Sequence, residues 1–467
     1  MTVSATSATV AFCGARDGEA ALTWGQRHVW RALRLHGPGQ YFLNCPWVLP
    51  VYARRDLGAV LTALRALIER HESLRTTFAD PADGPVQRVA RSGELTVLLE
   101  QAKQEGPLEL AERLAARMSE EIFAPEDWPL RCRVVVKDGR PCALALAFSH
   151  LAVDHEALGL LSADWRRLLR GEDLPPASWQ PMDQTELEAT EPFQARSARS
   201  IRYWQPVLDD VPLDVFGHPP GRPEDPRFIE VAMESAALGI AVGQLAKRWG
   251  VSTSSVLLAA WATTLAAVSD RQQAVMLLVH SNRRDPRTRA MVGTVGQDSL
   301  FALDLSGASG GTDFAAACRA AERAALLAYR NTQYDPFALW AVREETGRRR
   351  GREPDLNAFF NDRLGSGRPD RSRSVPDRDA QGLTGKTRTY AGNSWPSIHI
   401  RVMFTVGTMA GAGELSLIAD TAYLPRDIAT SMLLGVEALI ARSLTEDLPI
   451  AAAARVCGIA AYRGHRL

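Results

Sequence analysis

The sequence predicts an α/β protein made of two similarly built lobes. Segments with helical periodicity alternate with apolar, strand-like runs, and this alternation occurs on both sides of a polar, proline-bearing stretch at 171–200. The chain has 467 residues, which is long for one ordinary domain, and 46% of them are hydrophobic. The composition therefore allows two large cores, one in each lobe.

The first half begins with small, polar residues at 1–15, which we expect to be disordered. Apolar spacing then predicts two helices with a strand between them, and a turn-like Lys137-Asp138-Gly139-Arg140 predicts a β-hairpin. The predicted elements are the helices Leu57–Arg70 and Leu108–Ile122, the strand Leu95–Leu99 and the hairpin strands Cys132–Val136 and Cys142–Phe148.

The second half repeats the alternation from near Ile201. Its predicted elements are the helices Ile240–Arg248, Thr253–Ala267 and Pro425–Ser443 and the strands Ala274–His280, Ile398–Val406 and Glu414–Leu424. The stretch 348–394 is rich in Arg, Asp, Gly and Ser and predicts a long mobile loop. A basic nucleic-acid patch is the alternative, which interleaved acids and few aromatic residues disfavour.

These patterns predict the domain organisation. The expected parts are a disordered N-terminus (1–15), an N-terminal lobe (16–180), a linker (181–200), a C-terminal lobe (201–455, with the loop 348–394) and a tail (456–467).

Charge and targeting signals limit the partners. Fifty-four basic and 54 acidic residues give a formal net charge of zero, so no overall field attracts nucleic acid or membranes. The first residues lack a signal-peptide pattern, and no run approaches the roughly 18 apolar residues of a membrane span. The six cysteines have no C-x-x-C spacing. We expect a cytoplasmic protein without nucleic-acid or membrane partners.

His150 is the clear candidate for a proton-transferring centre. It follows the apolar run Cys142–Phe148 and precedes Asp154 by four residues. An unperturbed imidazole has a pKa of about 6.5, so it can accept a proton at neutral pH. The alternative is a polar residue that simply caps a core strand.

Six separated segments resemble, in order and spacing, the condensation domains of nonribosomal peptide synthetases. They are Leu22–Trp30, Arg70–Phe78 with Gly84 and Gln87, the stretch 149–155, Tyr203-Trp204, Ser281-Asn282-Arg283 ahead of Gly293, and Gln333–Phe337. The stretch 149–155 lies where that family has its H-H-x-x-x-D-G signature. Five positions depart from the family pattern: Ser149 and His155 within the signature, Gln297-Asp298 in place of Asn-Thr, and Thr332 before Gln333.

The resemblance implies two chloramphenicol-acetyltransferase-like lobes arranged as a V-shaped pseudo-dimer with a tunnel between them. An acyl or peptidyl carrier protein would present a thioester on its 4′-phosphopantetheine arm, and no cofactor would be bound permanently. His150 would act as general base toward a small amine or alcohol acceptor. Asp154 would form a structural ion pair with Arg283, tying the first lobe to the second.

The resemblance also implies that Ser149, His155, Gln297 and Asp298 line the substrate tunnel. Three roles remain open for Ser149: giving the tunnel more room, donating a hydrogen bond to substrate, or acting as a nucleophile, which the missing G-x-S-x-G elbow disfavours. His155 with His150 and Asp154 offers three potential metal ligands, but their close spacing disfavours a metal site.

The expected function is condensation in natural-product biosynthesis, forming an amide or ester from a carrier-bound thioester. No adenylation, thioesterase or carrier segment is recognisable after the region of resemblance, so we expect a stand-alone enzyme. Two alternatives remain open. One is a catalytically silent domain that recruits partner enzymes to a carrier protein, and the other is a coenzyme A-dependent acyltransferase.

Overall fold

The computed structural model describes residues 6–52, 54–216, 220–306, 313–364, 381–409 and 411–458. In the first part of the chain the strands are β1 (Ser7–Cys13), β2 (Gly18–Ala21), β3 (Cys45–Pro50), β4 (Thr76–Ala79), β5 (Val86–Val89), β6 (Ser92–Gln101), β7 (Leu130–Lys137) and β8 (Arg140–Phe148). The helices there are α1 (Trp24–His36), α2 (Leu57–Arg70), α3 (Pro107–Ser119), α4 (His155–Leu169), α5 (Pro181–Glu188) and α6 (Glu191–Asp210).

The second part continues in the same alternating manner. Its strands are β9 (Phe228–Ser235), β10 (Gln273–His280), β11 (Gln297–Asp304), β12 (Ala358–Asp362), β13 (Arg388–Trp395), β14 (Val402–Val406) and β15 (Gly413–Asp420). Its helices are α7 (Ala236–Trp249), α8 (Thr253–Val268), α9 (Pro286–Ala290), α10 (Phe314–Arg330), α11 (Pro336–Arg350), α12 (Arg426–Arg442) and α13 (Ile450–Val456).

The chain divides into two compact units that are interleaved in sequence. The first unit comprises Met1–Ser197, Ser281–Gln297 and Gln333–Phe337. The second comprises Ala198–His280, Asp298–Thr332 and Ala338–Leu467. Two short segments from the second half of the sequence therefore belong to the first unit, which the expected split near residue 200 did not include. The V-shaped arrangement and the tunnel remain predictions.

The first unit contains a five-stranded sheet in the order β1-β6-β7-β8-β3 and a three-stranded sheet in the order β2-β5-β4. In the larger sheet only β6 and β7 run parallel, and the other neighbours are antiparallel. The predicted hairpin is present as β7 and β8, which pair antiparallel around the turn at Asp138 and Gly139. Both turn residues have positive φ angles of 51° and 76°, as tight hairpin turns require.

Strand β8 is buried on both faces. Leu144, Leu146 and Phe148 point into one core with residues of α2 and α4. The alternating Ala143, Ala145 and Ala147 point to the other side, where residues of α3 cover them. Because alternate residues of a strand face opposite sides, large residues fill one core and alanines allow α3 to approach closely on the other. The strand that leads to His150 is thus fixed from both sides.

The second unit contains a seven-stranded mixed sheet in the order β11-β10-β12-β14-β15-β9-β13. Helix α8 is buried on nearly all sides and packs with α7, α10, α12 and the sheet around one large core. Within that core Trp261 stacks on Phe404, with ring centroids 4.8 Å apart.

In the described ranges no single helix is long and apolar enough to cross a membrane. Helices α7 and α8 reach the required length and composition only when taken together, as a pair bent by 104°.

Three sequence expectations are wrong in this structure. Part of the N-terminus expected to be disordered is β1, whose Ala8, Val10 and Phe12 alternate into the core while it pairs with β6. The expected linker 181–200 is mostly helical, and its prolines do not interrupt the helices because Pro181 and Pro192 occupy the first turns of α5 and α6, where proline is well tolerated. The expected loop 348–394 contains the strands β12 and β13, although its residues 365–380 lie outside the described ranges.

The two faces of β1 provide a matched test of this correction. Val10 is fully buried, whereas the neighbouring Ala11 is exposed. We expect Val10→Asp to lower the melting temperature by roughly 10 °C or to prevent soluble expression, because a buried unpaired carboxylate costs several kcal/mol. Ala11→Asp, the same new side chain on the outer face, should change it by at most about 2 °C. Equal melting temperatures for the two variants would contradict an ordered, paired β1.

Candidate active site

The segment 149–154 connects the end of β8 to the start of α4 and carries His150. Its backbone is fixed at both ends: the Ser149 N–H donates to the Pro129 carbonyl at 3.0 Å, and the Ala152 N–H donates to the Ser149 carbonyl at 3.0 Å. The hydroxyl of Thr294 donates to the carbonyl of His150 itself. These bonds constrain the backbone on both sides of His150, so the backbone position from which the imidazole extends is fixed.

The His150 ring is oriented by a bond to its own loop. Nδ1 lies 2.7 Å from the carbonyl oxygen of Val153. A carbonyl oxygen only accepts hydrogen bonds, so Nδ1 must carry the proton in the neutral ring. The lone pair of neutral His150 is therefore on Nε2, the nitrogen that would act as base.

The environment of His150 favours the neutral form. Removal from water lowers the pKa of His150 below its ordinary value of 6.5, against the opposing effects of the Val153 carbonyl and the Asp154 carboxylate. Any positive charge on His28, in α1, would act in the same direction, as the smallest of these effects. The residue as a whole is half-buried. His150 thus has the protonation state that a general base needs at neutral pH.

The carboxylate of Asp154 makes three bonds at the start of α4. Oδ1 accepts from the Ala157 N–H at 2.9 Å as the helix N-cap and from Arg283 Nη2 at 2.7 Å. Oδ2 accepts from the Val295 N–H at 3.2 Å. An anion at a helix N-terminus is favoured by the helix dipole as well as by these donors. One side chain therefore joins α4 to the segment 281–297.

Arg283 organises the segment that it belongs to. Its side chain is 5% exposed and donates to the carbonyls of Thr288, Met291 (2.7 Å) and Gly293 (2.8 Å) in addition to Asp154. A planar guanidinium with several donors is suited to gathering carbonyls in this way. The pair with Asp154 that the resemblance implies is present, but it lies within the first unit and does not involve the second.

The segment 281–297 also packs against α1. A side-chain carbon on Gly25 would lie 2.3 Å from the Thr294 carbonyl oxygen and 2.6 Å from the Val295 Cα, so only glycine permits this approach. One turn further along α1, His28 is the residue whose charge affects His150. The first two turns of α1 are thus part of the surroundings of the candidate base.

The four residues expected in the tunnel have different surroundings. Ser149 is buried, and its Oγ lies 3.4 Å from the Leu151 nitrogen. His155 is exposed in the first turn of α4, with its ring edge-on to Trp47. The Gln297 amide is occupied by protein groups, as it accepts from Asn282 at 3.1 Å and donates to the Tyr334 carbonyl at 2.8 Å. Asp298 is buried on β11 in the second unit, and the tunnel role of all four remains a prediction.

Two residues near His150 were not predicted. His28 and Thr294 act on its ring and on its carbonyl respectively, from positions more than a hundred residues away in sequence. The only sequence signal for His28 was its place beside Gln26 in the first motif. Among the described residues no group of three His, Cys, Asp or Glu side chains could hold a metal ion.

A comparison with known families agrees with this geometry. The condensation domain model matches residues 16–357. The chain belongs to the condensation-domain family.

Comparisons with individual proteins point to the same family, at low sequence identity. The chain is 27% identical over 345 residues to bacitracin synthase 3 of Bacillus licheniformis. The match covers 72% of this chain but only 5% of that much longer protein.

Solved structures also share the fold of this chain, including the following two. One, of a condensation domain that mediates chain release from the enacyloxin polyketide synthase, has a TM-score of 0.68 and 21% identity, covering 91% of this chain and 83% of the other. The other, the X-domain in complex with OxyB from teicoplanin biosynthesis, has a TM-score of 0.69 and 18% identity, covering 94% and 96%.

These matches confirm the predicted α/β condensation fold and the kinship with nonribosomal peptide synthetases. Condensation domains generally form amide bonds by acyl transfer.

The Asp154–Arg283 ion pair can be tested by making the same substitution at two helix N-cap aspartates, Asp154 and Asp285. Asp154→Asn keeps an N-cap side chain but removes the anion, leaving the buried Arg283 uncompensated, which typically costs about 3–5 kcal/mol. Asp285 is also an N-cap paired with an arginine, Arg287, but these side chains are 35% and 42% exposed, whereas those of Asp154 and Arg283 are 10% and 5% exposed. Asp285→Asn should cost about 1 kcal/mol or less.

We expect the melting temperature to fall by roughly 10 °C for Asp154→Asn and by at most about 3 °C for Asp285→Asn. Similar small decreases in both variants would mean that the Asp154–Arg283 pair does not hold the segment 281–297 in place.

Proposed function

We propose that this protein catalyses acyl transfer from a carrier-bound thioester to an amine or alcohol, with His150 as the general base. The observation that carries the proposal is the orientation of His150: Nδ1 is bound to the Val153 carbonyl, and Nε2 holds the lone pair. Membership of the condensation-domain family supports the reaction class.

The reaction requires one proton acceptor at the attacking atom. As the acceptor nitrogen or oxygen bonds to the thioester carbonyl carbon, Nε2 of His150 takes its proton. The C–S bond then breaks, and the proton passes to the departing sulfur to give a thiol and an amide or ester. The donor's 4′-phosphopantetheine arm is part of the substrate, so the proposal needs no resident cofactor.

The roles of the surrounding residues follow from their contacts. The Val153 carbonyl stabilises the imidazolium that forms during proton transfer, and the Asp154 carboxylate does so at longer range. Arg283 neutralises Asp154 and fixes the segment that carries Thr294. Positioned proton transfer typically contributes about 10²–10⁴-fold to the rate.

A second candidate function is recruitment without catalysis. The X-domain that shares this fold is found in complex with OxyB, and this chain departs from the family signature at Ser149 and His155. The retained His150, Asp154 and Arg283 favour the catalytic proposal. In the recruiting alternative the protein would bind a carrier protein without altering the group that the carrier bears.

Intact-mass analysis distinguishes the two functions. Holo-carrier proteins from the same gene neighbourhood would be loaded with acyl or aminoacyl groups and incubated with a panel of amines and alcohols, with and without this protein. The proposal expects loss of the carrier-bound group and formation of an amide or ester only when the protein is present. Stable binding of the loaded carrier with no change in its mass would instead support recruitment.

Removing the base should affect alcohols more than amines. We expect His150→Ala to lower kcat/KM by about 10²–10⁴-fold with an alcohol acceptor, which must be deprotonated, and by less with a reactive amine. His399→Gln, at an exposed histidine of the second unit, controls for loss of an imidazole elsewhere. Equal, small losses with both acceptor types in His150→Ala would contradict the role of His150 as base.

The pH dependence of the rate should reflect the lowered pKa of His150. Only the neutral ring accepts a proton, so the rate rises with pH through that pKa. Because loss of solvation lowers it below 6.5, kcat/KM for an alcohol acceptor should exceed half of its plateau value at pH 6.5 and fall at lower pH. A half-maximal rate at or above pH 6.5 would show that the neutral state is not favoured.

A further inference from the structure

Thr294 is a buried residue whose side chain bonds the backbone of the candidate base. It is 2% exposed, and its hydroxyl donates to the carbonyl oxygen of His150. The direction of this bond is fixed, because a carbonyl oxygen can only accept. The His150 carbonyl lies in the connection between β8 and α4, outside the hydrogen-bond pattern of either element, and Thr294 supplies its donor.

The backbone on both sides of Thr294 is held by the ion pair of Asp154 and Arg283. The carbonyl of the preceding Gly293 accepts from Arg283 Nη2 at 2.8 Å. The N–H of the following Val295 donates to Asp154 Oδ2 at 3.2 Å. Both neighbours of Thr294 are therefore bonded to one buried charge pair, which fixes the position from which its hydroxyl reaches the carbonyl of the base.

The carbonyl of Thr294 packs against the start of α1. It accepts from the hydroxyl of Thr23 at 3.4 Å. Thr23 is the N-cap of α1, and its Oγ1 accepts from the Gln26 N–H at 3.1 Å, so its own proton is free to point at Thr294. The missing side chain of Gly25 allows the two backbones to meet. Thr294 thus connects α1 to the connection that carries His150.

The carbonyl that Thr294 engages also acts on the His150 ring. Loss of solvation is the main effect that lowers the pKa of His150, and the carbonyls of Val153 and of His150 itself act in the opposite direction. A hydroxyl proton at the His150 carbonyl occupies one of the lone pairs of that oxygen. The Thr294 hydroxyl therefore weakens the support that this carbonyl gives to the imidazolium.

We propose that Thr294 is a positioning residue for the candidate base: its hydroxyl engages the His150 carbonyl, so that the Val153 carbonyl alone orients the ring. The inference rests on the proposed function, because a base must keep its Nε2 lone pair available to the acceptor. In this role Thr294 acts through the backbone of His150, and not on the acceptor or the thioester. It links the Asp154–Arg283 pair to the imidazole.

Charged groups from three neighbouring parts of the first unit also act at this site. Asp154, at the start of α4, favours the imidazolium, and a positive charge on His28, in α1, would disfavour it. Arg283, in the segment 281–297, is paired with Asp154. The bond to the His150 carbonyl is made by Thr294, so a change of that side chain isolates the effect of its hydroxyl.

The test removes the hydroxyl of Thr294 and keeps the shape of its side chain. We expect Thr294→Val to raise the pKa of His150, because the carbonyl of His150 then has only the ring to stabilise. Thr294→Ser, which keeps the hydroxyl, should leave that pKa as it is in the unmodified protein. The measurement is an NMR titration of the His150 ring signals, assigned with His150→Gln.

The same variants should differ in rate. With an alcohol acceptor we expect Thr294→Val to lower kcat by roughly 2- to 10-fold with KM unchanged, which is the value of one hydrogen bond. The pH at which kcat/KM is half-maximal should move upward, because only the neutral ring accepts a proton. Thr294→Ser should restore both. A loss of packing alone would move neither the pKa of His150 nor the midpoint of the pH profile.

Thr263→Val is the matched control. Thr263 is 3% exposed in the core of the second unit, and its hydroxyl donates to the Ala259 carbonyl at 2.7 Å. It loses the same kind of bond and should leave the pKa of His150 unchanged. Repeating the titrations in a His28→Gln background removes the other imidazole that acts on the ring.

The titration needs no substrate, so failure of the proposed function and failure of this proposal are separable. If Thr294→Val does not fold, Thr294→Ala removes the same hydroxyl with a smaller side chain. A pKa of His150 that is unchanged when the hydroxyl is removed, or that rises equally in Thr294→Ser or Thr263→Val, would overturn the proposal.

Discussion

The buried carboxylate of Asp154 is the interaction on which the candidate site depends. It caps α4, pairs with Arg283 and accepts from the Val295 N–H, so it fixes the start of a helix and a distant segment at once. The cost of burying it is offset because the cation and two backbone donors surround it. Asp154 therefore holds the segment 281–297, and Thr294 of that segment donates a hydrogen bond to the carbonyl of His150.

This arrangement explains how a signature that departs from the family pattern can retain the elements of base catalysis. The residue before His150 is Ser149, yet the tautomer of His150 is set by the Val153 carbonyl within the same loop. Neither Ser149 nor His155 contributes to that bond. The orientation of the imidazole thus depends on backbone geometry and on Asp154, and not on the two positions that depart from the signature.

Sequence patterns predicted the secondary-structure elements that are determined by residues close together in sequence. The apolar run of β8, its hairpin turn and the position of His150 at the end of β8 follow from residues close together in sequence. The strand β1 was missed because Ser7–Cys13 is short and rich in small residues, and its strand form depends on pairing with β6. The membership of the Arg283 segment in the first unit, and the effect of His28 on His150, arise from long-range packing that no local periodicity encodes.

The most direct test of the central claim is the tautomer of His150 in solution. With ¹⁵N-labelled histidine and His150→Gln to assign the signal, long-range ¹H–¹⁵N spectra distinguish a protonated ring nitrogen from one that carries a lone pair. The account predicts that Nδ1 of neutral His150 is protonated and Nε2 is not, and that Asp154→Asn weakens this preference. A neutral ring protonated on Nε2 would leave no lone pair where the proposed base requires one, and would contradict the account.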